Sequence, residues 1–331
     1  MPDFVKTSRF WLFAGGTIAT IYLLILVGGI VRATGAGMGC PDWPTCFGQW
    51  IPPTSESQLP ANYQQIYADR GYADTTFNLT KTWTEYLNRL LGVFTGFTIL
   101  LTLLFSMPFR RYDAMVTHLA LGGFVLVCVQ GWLGSRVVAS NLNPGLITLH
   151  MLLAQVIVGL VIAAIIRSAR PQLQRIDLSG VSSRVYTVMV LAMALGLLQL
   201  VIGTQVREAV DLIAKQSNYA NRHLWIDNLP IIFAVHKYSA PVLLVLNAWL
   251  IVQFFTHCSS RLLHRLNALL AVLLLGTIVM GMSMDKLNLP VFAQPLHLWM
   301  ASLIFGTQLA ILMVVRYARS GNSVLDGTVA G

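Results

Sequence analysis

Apolar residues run along this chain in long, nearly unbroken stretches, and the polar residues collect in the gaps between them. A helix that crosses a bilayer needs roughly 20 consecutive, mostly apolar residues. Eight windows meet that requirement, at about 10–31, 86–107, 114–137, 146–167, 185–206, 231–255, 266–284 and 295–317. Together they use most of the 331 residues and leave no room for a soluble catalytic domain. The expected fold class is an all-α integral membrane protein with eight transmembrane helices. Any chemistry takes place in or beside the lipid bilayer.

The windows also repeat one another. The ends of spans one, three and five read GGIVRATG, GWLGSRVVAS and IGTQVREA, each with a glycine a few residues before an arginine: Arg32, Arg136 or Arg207. Span seven, LLLGTIVMGMSM, keeps the glycine and lacks the arginine. Spans two, four, six and eight begin with NRLLG, HMLLA, HKYSA and HLWMA, which places Asn88, His150, His236 and His297 one helical turn before a glycine or alanine. Residues i and i+4 share a helix face, so the small residue leaves a flat opening beside each motif residue. This repeat predicts two pseudo-symmetric four-helix bundles, 1–170 and 180–331.

Composition adds orientation to this picture. Only 11% of the residues are charged, against roughly 25% in a soluble domain. With the amino terminus inside, the inner segments collect basic residues, from Lys6 and Arg9 to Arg316 and Arg319, against only Asp3, Asp113, Asp177 and Asp326. The net charge of +9 is therefore mostly topological and does not suggest nucleic acid binding. Both termini are expected in the cytoplasm. The start MPDFVKTSRF has no small-residue cleavage site and no Arg- and Ser-rich transit peptide before it, so we expect a retained first helix in a bacterial inner membrane.

Four of the histidines carry little information. His118, His257 and His264 lie in or near inner loops and His223 in an outer loop, none with a repeat partner. His150, His236 and His297 recur at one repeat position within spans, where an ionisable group is costly and points to function. Two neutral imidazoles on facing helices, each above a small residue, suit the axial positions of a haem iron. Zinc would want a third or fourth nitrogen or sulfur ligand. We expect haem ligation by His236 and His297.

Arg89 and Lys237 directly follow a motif residue, and Arg32, Arg136 and Arg207 stand at the outer boundary. These five cations are candidates for haem propionates, although snorkelling to the interface explains any one of them equally well. Glu85 lies three residues before Asn88, on the same side of the second helix, whereas the sixth span has Phe233 at the equivalent place. A helix-start carboxylate favoured by the dipole is the plainer account of Glu85. The asymmetry nevertheless makes it a candidate acid, base or electrostatic stabiliser, with one working site and one supporting site. Cys40 and Cys46 flank PDWPT in an outer loop, where a disulfide can form. They read either as a structural staple or as a redox-active or haem-handling pair, out of reach of Cys128 and Cys258. The following SESQLPANYQQIYADRGYAD is polar and aromatic and reads as an interfacial helix or cap.

Along its whole length the chain resembles the haem A synthase family. The resemblance rests on VRATGAGMGCPDWPTC after span one, EYLNR at span two and the histidines opening spans four, six and eight. It implies an enzyme that oxidises the C8 methyl of haem O to the formyl group of haem A, supplying terminal cytochrome oxidase. It further implies a haem b in the C-terminal half, held by His236 and His297, and the substrate haem in the N-terminal half, facing His150. Glu85 would be the carboxylate near the reacting methyl, and Cys40 and Cys46 the outer pair; Asn88, from this chain's own pattern, is the second catalytic candidate. A haem O synthase and an electron donor are the implied partners.

Two features depart from the family. It commonly has histidine where this chain has Asn88, so the N-terminal haem is expected on His150 alone, with a water-filled or open sixth position. Some members carry a second cysteine pair after span five, and REAVDLIAKQSNYANRHLWIDNLP has none. The competing functions are a di-haem b-type electron-transfer cytochrome, which calls for ligand pairs in both halves and has no use for Glu85, and a membrane haem chaperone, which needs an exposed, exchangeable site.

Overall fold

The computed structural model describes residues 4–217 and 220–329, without the side chains of 4–7 and 322–329. Asp3 and the side chains of Lys6 and Asp326, which entered the charge count, lie outside the described residues. Every apolar window is a helix: α1 (Phe4–Ala33), α2 (Leu79–Ser106), α3 (Ala114–Ala139), α4 (Pro144–Ser168), α5 (Val185–Gln216), α6 (Ile231–His257), α7 (Arg261–Lys286) and α8 (Ala293–Val329). No strand occurs among the described residues. All eight helices are long and apolar enough to cross a membrane, and the chain is a multi-pass membrane protein.

The helices outrun the apolar windows where polar residues can continue or cap them. Asn78 caps α2 by accepting the Lys81 backbone N–H at 3.0 Å, so the helix begins well before residue 86. Glu85, Asn88 and Arg89 therefore lie beyond the first turn. α5 continues past residue 206 to Gln216, and an Arg207–Asp211 ion pair at 2.8 Å sits on this polar extension. α4 opens on Pro144, with the Asn143 side chain accepting from the Gly145 and Leu146 N–H groups at 3.0 and 3.3 Å.

The chain divides into two compact units, 1–108 with 120–158 and 109–119 with 159–331. In the first, α1 lies along α2. Thr17 and Thr102 bond at 2.9 Å, Thr20 and Thr98 at 3.2 Å, and the Phe13 and Phe105 rings stack at 4.7 Å. Lipid offers these hydroxyls no partner, so each finds one across the helix pair or on its own backbone. In the second, α5 to α8 enclose a core that includes Met189, Leu250, Phe254, Leu270 and Ile311. An Asn247–Gln308 amide pair at 2.7 Å satisfies itself there. His264 ties off the α6–α7 turn: its Nε2 faces the Cys258 carbonyl at 2.6 Å and must donate to it.

Cys40 and Cys46 are joined in a disulfide and fully buried. The Asp42 carboxylate organises the enclosed loop by accepting from the Phe47 N–H (2.6 Å), the Gly48 N–H (2.9 Å) and the Thr45 hydroxyl. The segment read as an interfacial helix or cap forms three short helical turns, Glu56–Gln58, Tyr63–Ile66 and Ala68–Arg70. Tyr63, Tyr67, Tyr72 and Phe77 set their rings edge-on around Phe47. Burial, chiefly, pushes the Tyr72 hydroxyl well above the usual tyrosine range, so it remains a donor, to the Met38 carbonyl at 2.8 Å.

This loop docks on the start of α2 at Gly39. A Cβ there would fall 2.4 Å from the Lys81 carbonyl oxygen and 2.8 Å from the Thr82 nitrogen, a backbone-to-backbone approach that only glycine allows. In the non-reduced parent, neither Cys40 nor Cys46 should react with maleimide. Gly39→Ala should cost about 1–3 kcal/mol through overpacking and lift the loop, so that mild reductant followed by maleimide labels the pair several-fold faster. Equal labelling rates would show that docking does not shield the disulfide.

Candidate functional site

The four motif residues share one local geometry. Each faces a glycine on the preceding helix, at the distance a Cβ on that glycine would have. Gly28 meets Asn88 Oδ1 at 3.9 Å, Gly134 meets His150 Cε1 at 3.4 Å, Gly203 meets His236 Cε1 at 3.2 Å and Gly281 meets His297 Cε1 at 3.4 Å. A Cβ at Gly203 would crowd the His236 ring, and one at Gly134 or Gly281 would just reach contact, so the glycines let the imidazoles lie close against the preceding helix. All four motif residues are half-buried.

In the second unit the His236 and His297 rings lie with centroids 6.2 Å apart and planes at 68°. Metal–imidazole bonds of about 2 Å on opposite faces of one iron require ring centroids roughly 6 Å apart. The pair fits. His297 Nδ1 sits 3.0 Å from the Thr277 carbonyl, to which it can only donate, leaving Nε2 with the free lone pair. His236 Nδ1 is buried without a protein partner. Among the described residues no three His, Cys, Asp or Glu side chains converge to hold a bare metal ion. Two imidazoles at this separation suit an iron whose other positions are filled by a macrocycle.

In the first unit α4 supplies His150 and α2 supplies Asn88, whose Oδ1 is buried and unpartnered. Glu85 is 3% exposed, with Oε2 accepting the Cys40 N–H at 2.9 Å and Oε1 paired with Arg89. Arg89 donates from Nη1 to the Asp42 and Thr45 carbonyls (2.6 and 3.0 Å), from Nη2 to the Cys40 carbonyl (3.0 Å) and Glu85, and from Nε to Glu85 (3.2 Å). These bonds engage all five guanidinium donors. Arg89 thus clamps the disulfide loop on α2.

The other cations differ among themselves. Lys237 pairs with Asp285 at 2.9 Å, but 42% of its side chain stays exposed, so its ammonium remains reachable. Arg207 pairs with Asp211, Arg32 is half-buried and Arg136 is exposed.

Two polar side chains that sequence reasoning passed over lie directly behind the histidines. Gln130 Nε2 donates to the His150 carbonyl at 2.8 Å and Gln199 Nε2 to the His236 carbonyl at 2.6 Å. Each glutamine stands one turn before the glycine that faces the ring, in QGWLG and QLVIG, a shared spacing that was visible in the sequence.

A family model described as cytochrome oxidase assembly protein matches residues 9–309. The chain is 29% identical over 156 residues to a heme A synthase of Shewanella oneidensis, covering 47% of this chain and 44% of that protein. It is 29% identical over 146 residues to a heme A synthase of Brucella ovis, covering 42% of this chain and 39% of that protein. The chain thus spans less than half the length of the curated relatives it matches. The family match, by contrast, takes in the disulfide loop and all four glycine-facing positions. The chain belongs to the cytochrome oxidase assembly protein family.

Proposed function

We propose that this protein is a haem A synthase, oxidising the C8 methyl of haem O to the formyl group of haem A. The observation that carries the reading is the fourfold glycine-facing position, filled by two histidines in the second unit and by His150 and Asn88 in the first. The relatives named heme A synthase support it. When bound, haem b supplies the one-electron chemistry that side chains lack.

In this reading His236 and His297 hold haem b, with the Thr277 carbonyl keeping His297 in the tautomer that frees Nε2. His150 binds the substrate haem O. Asn88, a poor iron ligand, offers an amide that hydrogen-bonds beside the iron and lets the product leave. Glu85 anchors the disulfide loop on the turn before Asn88. A proton it takes goes to Oε2, the oxygen outside the Arg89 pair. Lys237, Arg32, Arg136 and Arg207 serve the propionates. The same proposal includes two halves, 1–170 and 180–331, both termini in the cytoplasm of a bacterial cell, and a haem O synthase and an electron donor as partners. A di-haem electron carrier would need a second ligand where α2 has Asn88.

Three substitutions test this. His236→Ala or His297→Ala should abolish a six-coordinate, low-spin b-type spectrum in the purified protein, and His257→Ala should not. Equal haem content in all three variants contradicts the assignment. Asn88→His should drive the first-unit haem toward six-coordinate low spin and make it harder to extract; unchanged spectra in a folded variant mean that residue 88 does not face the iron. Glu85→Gln keeps an acceptor for the Cys40 N–H and removes the charge. Haem A formation should fall about 100-fold or more, as for loss of a positioned acid–base group, with haem content retained. Parental turnover in that variant rules out a role for the charge.

A further inference from the structure

We propose that Gln199, together with Ser239, is a positioning residue that braces the turn carrying His236 and so fixes the axial imidazole; this rests on the haem b reading above. The turn needs a brace because Pro241 lies inside α6. Proline has no N–H, so the Lys237 carbonyl loses its intrahelical donor just beyond His236. The helix ladder alone does not hold this turn stiffly.

Gln199 ties it from the neighbouring helix at two points. Nε2 donates to the His236 carbonyl at 2.6 Å, and Oε1 lies 2.8 Å from the Ser239 hydroxyl, which shares its one proton between Gln199 and the Val235 carbonyl at 2.6 Å. One turn further along α5, Gly203 touches the imidazole itself, so a small slip of α6 against α5 would move the ring. Hydrogen bonds in a low-dielectric interior resist such a slip more strongly than in water, and groups behind a metal ligand set its orientation.

The first unit carries only half of this device. Gln130 donates to the His150 carbonyl at 2.8 Å, but the residue at the place of Ser239 is Leu153 and Gln130 Oε1 is buried without a partner. A two-point brace thus stands behind the site read as permanent, and a one-point brace behind the site that must release its haem.

The test uses the full-length, haem-loaded protein. Gln199→Met keeps length and volume and removes both bonds; Ser239→Ala removes only the far one and perturbs the fold least. Both should keep the second-unit haem at parental stoichiometry. In Gln199→Met its transfer to apomyoglobin should be about tenfold faster, the scale of one lost hydrogen bond, and its low-spin electron paramagnetic resonance signal should shift. Ser239→Ala should change both in the same direction by less, and His236→Ala should lack this haem altogether. Parental transfer rates and signals in Gln199→Met and Ser239→Ala, with the haem absent from His236→Ala, overturn the brace alone. Haem retained in His236→Ala overturns the axial reading and the brace with it.

Discussion

Everything else at the two candidate sites depends on a contact between bare backbone on one helix and a planar side chain on the next. Between helices in lipid there is no hydrophobic drive to association, so close approach comes from small residues and interhelical hydrogen bonds. Gly134, Gly203 and Gly281 allow an imidazole carbon to lie 3.2–3.4 Å from where a Cβ would be, and Gly28 admits the Asn88 amide at 3.9 Å. The polar atoms behind the rings, on Gln130, Gln199 and Thr277, are placed by the same close approach.

The two units use charge differently on this common frame. The first buries Glu85 and Arg89, which satisfy each other and four backbone groups of the disulfide loop. A buried pair of this kind is weak evidence for stability, since desolvation offsets much of its attraction, but breaking it by removing one partner leaves an uncompensated charge. The second unit has Phe233 in place of Glu85, and its Lys237–Asp285 pair stays partly exposed. The chemical asymmetry between the units thus lies in what surrounds the motif residues rather than in the motif.

The clamp also explains why the loop is built as it is. Gly39 lets the backbone reach α2, Asp42 folds the turn inside the disulfide, and Tyr72 closes over the carbonyls of Met38 and Gly39. Arg89 then reads out the folded loop, because its donors meet three loop carbonyls that converge only when the loop is closed.

Hydrophobic length alone determined the eight helices, because lipid leaves a spanning backbone no partner but itself. The i, i+4 spacing of a polar residue and a small one likewise marked Asn88, His150, His236 and His297, since that relation is local to one helix. The QxxxG spacing behind two of the histidines was equally local, but its meaning required knowing which helix lies next to which. What Glu85 and Arg89 touch was decided by tertiary structure. Beyond their local i,i+4 pair, their partners lie more than 40 residues away in the loop and are backbone atoms, which no side-chain pattern encodes. The 6.2 Å separation of His236 and His297 is of the same kind. Residue type supplied two imidazoles, and only helix packing around glycine brought them to this separation.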